Sequence, residues 1–273
     1  MTEDSFTLRA SPRKSPLRFF LLVFALSLPF LLAGALTSFQ LLPGIPVSGL
    51  AVLCPVTAAA ILVYRENKSA GVKKLLSRAF DFERVKAKIW YVPLILLMPC
   101  IMVLSYGAIR LMGVPIPAPQ FSLGTILALF VGLFIGALCE ELGWSGYAID
   151  PLQERFGALG GALLLGMVWA VWHYVPLLQA HRSLEWIAWW SLGTVAYRVI
   201  IVWLYNNTGK SVFVAAFFHT MIDLTWQLFP INGSYYDPRV TGLITAIVAG
   251  VVVIVWGPRT LARYNTVSMK TQA

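Results

Sequence analysis

Charge is scarce in this chain, and its scarcity settles the broad class. Only 12% of the 273 residues are Asp, Glu, Lys or Arg, while 58% are hydrophobic, and the mean hydropathy is +0.75. An ordinary soluble domain carries about 25% charged residues, so that class is excluded. Cysteine is also scarce. Cys54, Cys100 and Cys139 lie far apart, in or beside apolar stretches, which excludes a disulfide scaffold and any CxxC site and leaves them as small packing residues. There is no HExxH helix, no internal repeat and no pair of inverted halves of the transporter kind.

What the chain does have is long apolar runs. Runs of about 17–25 residues read as membrane-crossing helices. Eight are expected, near 17–39, 49–64, 90–112, 122–146, 158–178, 186–206, 211–230 and 241–257. The fold expected is therefore all-α: a polytopic membrane protein with a single transmembrane domain over 17–257. It is flanked by a disordered cytoplasmic N-terminus at 1–16 and a cytoplasmic tail at 258–273. The polar connection 65–88 has apolar positions at helical spacing and reads as an amphipathic interfacial helix near anionic headgroups. LLPGIP at 41–46 and GVPIPAP at 113–119 read as joints, and FGALGG at 156–161 opens the fifth helix with small residues.

The net charge of +9 does not point to nucleic acid. With the N-terminus inside, 17 of the 21 Lys and Arg residues fall on cytoplasmic segments, leaving Arg110, Arg182 and Arg239 outside and Arg198 within a span. That is the positive-inside bias. It implies a multi-pass integral membrane protein, in the cytoplasmic membrane if the cell is bacterial, with both termini cytoplasmic. Nucleic acid is excluded as a partner, and membrane lipid is implied.

Against this apolar background stand Glu140 and Glu141, adjacent in FVGLFIGALCEELGWSGY. A carboxylate at bilayer depth costs roughly 2.5–3.5 kcal/mol on insertion scales, so a pair must face a protein interior or a wet cavity. Two other spans offer partners: His173 in one, His219 with Asp223 in another. On a helix, Glu141 shares a face with Ser145, four residues on, while Glu140 is turned by about 100°. Trp169 and His173 share the same spacing, as do His219 and Asp223. Each group alone has an ordinary explanation as a helix–helix hydrogen-bonder. Four ionisable groups on three spans point instead to a site. Glu140, His173 and His219 are expected to converge on one buried cavity, open to the cytoplasmic side or laterally to lipid.

The residues E-E-L-G-W-x-G-Y at 140–147, aromatic-x-x-x-His at 169–173 and His-x-x-x-Asp at 219–223 resemble three motifs of one family. This is the CAAX-processing and bacteriocin-related (CPBP, or Abi) family of intramembrane endopeptidases, which includes the type II CAAX prenyl proteases. The stretch 198–211 resembles it as well, and the family-like core spans about 122–230. The resemblance implies a glutamate-type endopeptidase. Glu140 would activate a water that His173 holds and polarises, His219 and the residue at Asp223 would serve the oxyanion, and Glu141 would orient the site. It implies a hydrophobic or prenylated peptide or protein substrate.

Two positions depart from the family pattern. Its first motif ends in Arg five residues after the first Glu, where this chain has Ser145; Arg198, one span away, either compensates or pairs Glu185 or backbone. Asp223 stands where many members have Asn, and an ionised Asp only accepts hydrogen bonds. Glu140, His173 and His219 also match the His₂Glu set of a catalytic zinc, so a zinc mechanism stays open beside the favoured reading without cofactor. Two further readings compete: a non-catalytic immunity or accessory protein, and a proton-coupled transporter using the buried groups as a relay. Trp186, Trp189 and Trp190 read as interface anchors, Asn206-Asn207-Thr208-Gly209 as a turn, and Asp150 and Glu154 as solvated.

Overall fold

The structure, a computed structural model, describes residues 14–263. Residues 1–13 of the expected disordered N-terminus and 264–273 of the expected tail lie outside the described residues. Among the described residues, eight α-helices follow in order: α1 Pro16–Leu36, α2 Leu53–Ser77, α3 Tyr91–Leu111, α4 Leu123–Gly143, α5 Ile149–Gln179, α6 Leu184–Asn207, α7 Val212–Leu228 and α8 Pro238–Trp256. Six continuous helical segments are long and apolar enough to cross a membrane. One of these, Leu123–Gln179, holds both α4 and α5, and α7 is a shorter apolar helix. The protein is an all-α polytopic membrane protein. Where spans begin, the sequence supplies caps: Ser15, Ser122, Ser183, Ser211 and Asp237 each accept a backbone N–H of the first turn.

Three boundaries differ from the sequence expectation. α4 does not stop near 146 but runs through a π-helical turn, Trp144–Ala148, into α5. The break between the fourth and fifth spans comes at Gly157, whose φ of 72° and ψ of 172° suit a residue without Cβ. α2 runs past the expected 64 to Ser77, with a kink at Lys68 (φ 55°), and the 3₁₀ turn Arg78–Arg84 follows. Between α1 and α2, a short hairpin of β1 Gln40–Leu42 and β2 Ile45–Pro46 leads into the 3₁₀ turn Val47–Val52. Isolated Pro-Gly signals marked this joint without revealing the strands.

The bundle has two distinct ends. One bears the start of α1, the 78–90 connection, the π turn and residues 258–263. Here Lys14 Nζ and Arg78 Nη1 donate to the Gly146 carbonyl at 3.3 and 2.9 Å, and the Asn206 and Asn207 amides donate to Thr260 O and Leu261 O. The NNTG segment therefore fastens the chain after α8 as well as stopping a helix. Asp150, expected to be merely solvated, takes Lys210 Nζ at 2.9 Å. The Asp81 carboxylate accepts the backbone N–H groups of Val212 and Phe213, so an anion caps α7, the helix carrying His219 and Asp223. The other end bears the 37–52 connector and the α3–α4, α5–α6 and α7–α8 joints. Inside, α6 packs against α5 and α8, and α4 against α2 and α7. α4 crosses α2 so closely that a Cβ on Gly143 would lie 2.6 Å from the Pro55 carbonyl oxygen.

Candidate active site

α4, α5 and α7 bring Glu140, His173, His219 and Asp223 to the wall of one cavity of about 460 Å³. Glu140, Glu141 and His219 are buried at 4%, 0% and 2% exposure, whereas the Asp223 side chain keeps 33% of its surface open.

The two glutamates do different things. Glu141 is tied sideways on every oxygen. Its Oε2 accepts Arg198 Nη1 at 2.9 Å and the Ser145 hydroxyl, and its Oε1 lies 3.1 Å from His219 Nδ1. Arg198 and Glu141 are both fully buried, so the pair holds only because each charge has its partner; removing one would cost about 3–5 kcal/mol. The guanidinium also lies over the Trp169 ring, 4.3 Å from its centre. Glu185 is not its partner: that carboxylate takes Arg239 at 3.0 Å at the far end of α6. The arginine lacking at position 145 thus has a counterpart one helix away, and Ser145 fills a small space on the same carboxylate.

Glu140 turns toward the cavity. Its Oε2 accepts two indole N–H groups, Trp144 Nε1 at 3.1 Å and Trp169 Nε1 at 2.9 Å, while its Oε1 has no hydrogen-bond partner among the described residues. Two fixed donors on one oxygen orient the carboxylate and leave the other for a water or substrate. The i, i+4 step from Glu140 to Trp144 stands in the motif, but only the fold shows the hydrogen bond it makes.

The two histidines also differ. His173 Nδ1 lies 2.8 Å from the Trp169 carbonyl, and an acceptor there fixes the proton on Nδ1 and leaves Nε2 as a lone-pair acceptor. Both nitrogens of His219 face carboxylates, Glu141 at Nδ1 and Asp223 Oδ2 at 3.5 Å from Nε2. Its ring stacks edge-on against Trp169, 4.9 Å between centres. Trp190, read from sequence as an interface anchor, instead stands 5.3 Å from the His173 ring and lines the cavity, as do Thr194 and Tyr197. These three face the cavity from the same helix as Arg198, at spacings the sequence shows only once the helix is known to be central.

For zinc, the donors facing the cavity would be Glu140 Oε1, His173 Nε2 and His219 Nε2, the last 3.5 Å from Asp223 Oδ2. Among the described residues, no three His, Cys, Asp or Glu side chains are arranged to hold a metal ion. The cavity runs from Glu140 toward the connector end of the bundle, lined by residues 41–52 and by the connector-side parts of α4, α5 and α6, and not toward the end rich in basic residues. Helix pairing sets that direction, not any local pattern.

A family model described as type II CAAX prenyl endopeptidase Rce1-like matches residues 122–225, the segment from the start of α4 through Asp223. The chain is also 27% identical to CAAX prenyl protease 2 of Methanococcus maripaludis, with 89% of this chain and 95% of that protein aligned. In the matched segment, and more distantly over most of its length, this chain is similar to type II CAAX prenyl endopeptidases.

Proposed function

We propose that this chain, an intramembrane protease by kinship, hydrolyses a peptide bond near the end of a hydrophobic or lipid-tethered substrate, a prenylated CAAX peptide being the leading candidate. Glu140 acts as general base through Oε1. It takes a proton from a water held by His173 Nε2, the water oxygen attacks the scissile carbonyl carbon, and the same proton passes to the leaving amine as the C–N bond breaks. His219, sharing its Nε2 proton between Asp223 and the cavity, donates to the oxyanion, where a preorganised donor in a water-poor site counts most. Glu141, Ser145, Trp169 and Arg198 orient these groups. Both termini lie on the cytoplasmic side, because the basic residues gather there.

The observation that supports this reading above all is the unequal treatment of the adjacent glutamates: Glu141 is saturated by Arg198, Ser145 and His219, while Glu140 keeps one oxygen free at the cavity wall. A proton relay needs a polar trail to both faces, yet residues 141–149, between Glu140 and the basic end, are all buried. The test is incubation of the purified full chain with a farnesylated CAAX peptide, followed by mass spectrometry. Release of the carboxyl-terminal tripeptide supports the assignment; an intact peptide over many hours, with a correctly folded protein, argues for a non-catalytic partner.

A further inference from the structure

Another cavity, of about 270 Å³, lies at the basic end of the bundle, and no apolar residue lines it. Its wall is built from Lys74 on α2, Arg78, Asp81 and Arg84 on the 3₁₀ turn, Asp150 at the start of α5 and Lys210 in the α6–α7 joint. Four cations stand there against two carboxylates, an excess of two positive charges.

The carboxylates already have their partners. Asp81 Oδ1 accepts the Ser211 hydroxyl at 2.8 Å and the Phe213 N–H at 3.0 Å, and its Oδ2 accepts the Val212 N–H at 3.2 Å, so its charge is directed at the start of α7. Asp150 takes Lys210 Nζ at 2.9 Å and the Tyr205 hydroxyl at 3.2 Å. The cations are less well matched. The Lys74 ammonium has no hydrogen bond or ion pair among the described residues; only its backbone carbonyl accepts, from the Ser77 hydroxyl. Arg78 is clamped by its two terminal nitrogens, Nη1 on the Gly146 carbonyl and Nη2 on the Tyr205 hydroxyl and the Lys210 carbonyl, while its buried Nε has no hydrogen-bond partner. Donors held this firmly and left unmatched suit an anion with several oxygens.

The residues interleaved with these cations point to the source of that anion. Leu76, Phe80 and Phe82 are exposed at 46%, 70% and 47%, although they flank charged positions at the end of a membrane bundle. Cations and exposed apolar side chains on one short segment fit the boundary between headgroups and acyl chains.

We propose that this cavity is a phosphate-binding site that takes the headgroup of an anionic phospholipid. The phosphate oxygens meet Lys74, Arg78 and Arg84, and the acyl chains lie against Leu76, Phe80 and Phe82. The site stands apart from the protease reading, since none of its residues lines the Glu140 cavity. It still bears on the fold. Arg78 holds the π turn that follows Glu140 and Glu141, and Asp81 caps the helix of His219, so a bound headgroup braces the segment fastening α7 to the α4–α5 joint.

Thermal unfolding of the purified full chain in nonionic detergent tests this, because a ligand that binds the folded state raises the melting temperature. The protein is titrated with dioleoyl phosphatidylglycerol, with dioleoyl phosphatidylcholine and with inorganic phosphate. Lys74→Glu reverses one charge in the cavity without removing a hydrogen bond, and Lys73→Glu makes the same change at an exposed neighbour outside it. Phosphatidylglycerol should raise the melting temperature above the phosphatidylcholine value. Lys74→Glu should weaken its apparent affinity on the order of tenfold, Lys74→Gln less in the same direction, and Lys73→Glu by less than about twofold. Equal weakening by the two Glu variants would mean general surface charge and overturn the site, as would no weakening by either or equal stabilisation by the two lipids. Inorganic phosphate that stabilises the wild type as well as the lipid does, but not Lys74→Glu, would keep the phosphate site and make a free anion its ligand.

Discussion

Arg198 Nη1 lies 2.9 Å from Glu141 Oε2, and neither side chain has any exposed surface. The pair joins α6 to α4 in the middle of the bundle, and Ser145 and His219 complete the carboxylate's shell. Because Glu141 is fully engaged, its neighbour on the helix is left to face the cavity alone. The chemistry proposed for Glu140 depends on this division.

Removing either member of the pair strands the other charge in an apolar surround. Arg198→Leu and Glu141→Leu should each cost about 3–5 kcal/mol, and the double variant should cost less than either single change. Thermal unfolding in detergent measures all three. A double variant as unstable as the sum of the singles would mean that the two residues do not act as a pair.

Ser145→Arg should destabilise the protein and not alter its choice between free-acid and amidated peptides. Ser145 is 2% exposed and bonded to a carboxylate that already holds a guanidinium, so a second one is both oversized and unmatched. Melting temperature and the ratio of cleavage of free-acid and amidated peptides give the answer. A stable variant with a raised free-acid preference would contradict it.

Asp223→Asn should raise kcat. An ionised Asp only accepts, whereas the Asn amide can still face His219 Nε2 through its oxygen and donate its N–H groups to an oxyanion. Lower kcat in the Asn variant, with folding unchanged, would show that the negative charge itself orients His219.

Activity should survive exhaustive chelation. Among the described residues, no three His, Cys, Asp or Glu side chains are arranged to hold a metal ion. Cleavage assayed before and after dialysis against a strong chelator checks this. Loss of activity restored by zinc alone would reverse the assignment.

Much of this was legible in the residues, for definite reasons. Apolar runs near bilayer length make the helices visible, and carboxylates and histidines inside such runs stand out against them. The i, i+4 steps from Glu141 to Ser145 and from His219 to Asp223 follow from helix geometry alone. The Arg198–Glu141 partnership did not, since 57 residues separate the two and only the tertiary placement of α6 decides between Glu141 and Glu185. Nor did the π turn after Gly143, which carries the fourth helix on to Gly157, or the direction of the cavity, which depends on where the helices part.

The most direct measurement compares single-turnover cleavage of one lipidated peptide by the wild type and by Glu140→Gln. Gln keeps the size of the side chain and can still accept the Trp144 and Trp169 N–H groups through its amide oxygen, but it cannot take a proton from water. The account predicts an unchanged melting temperature, unchanged peptide binding and a rate lower by about 10²–10⁴. Cleavage by Glu140→Gln at the wild-type rate would contradict it.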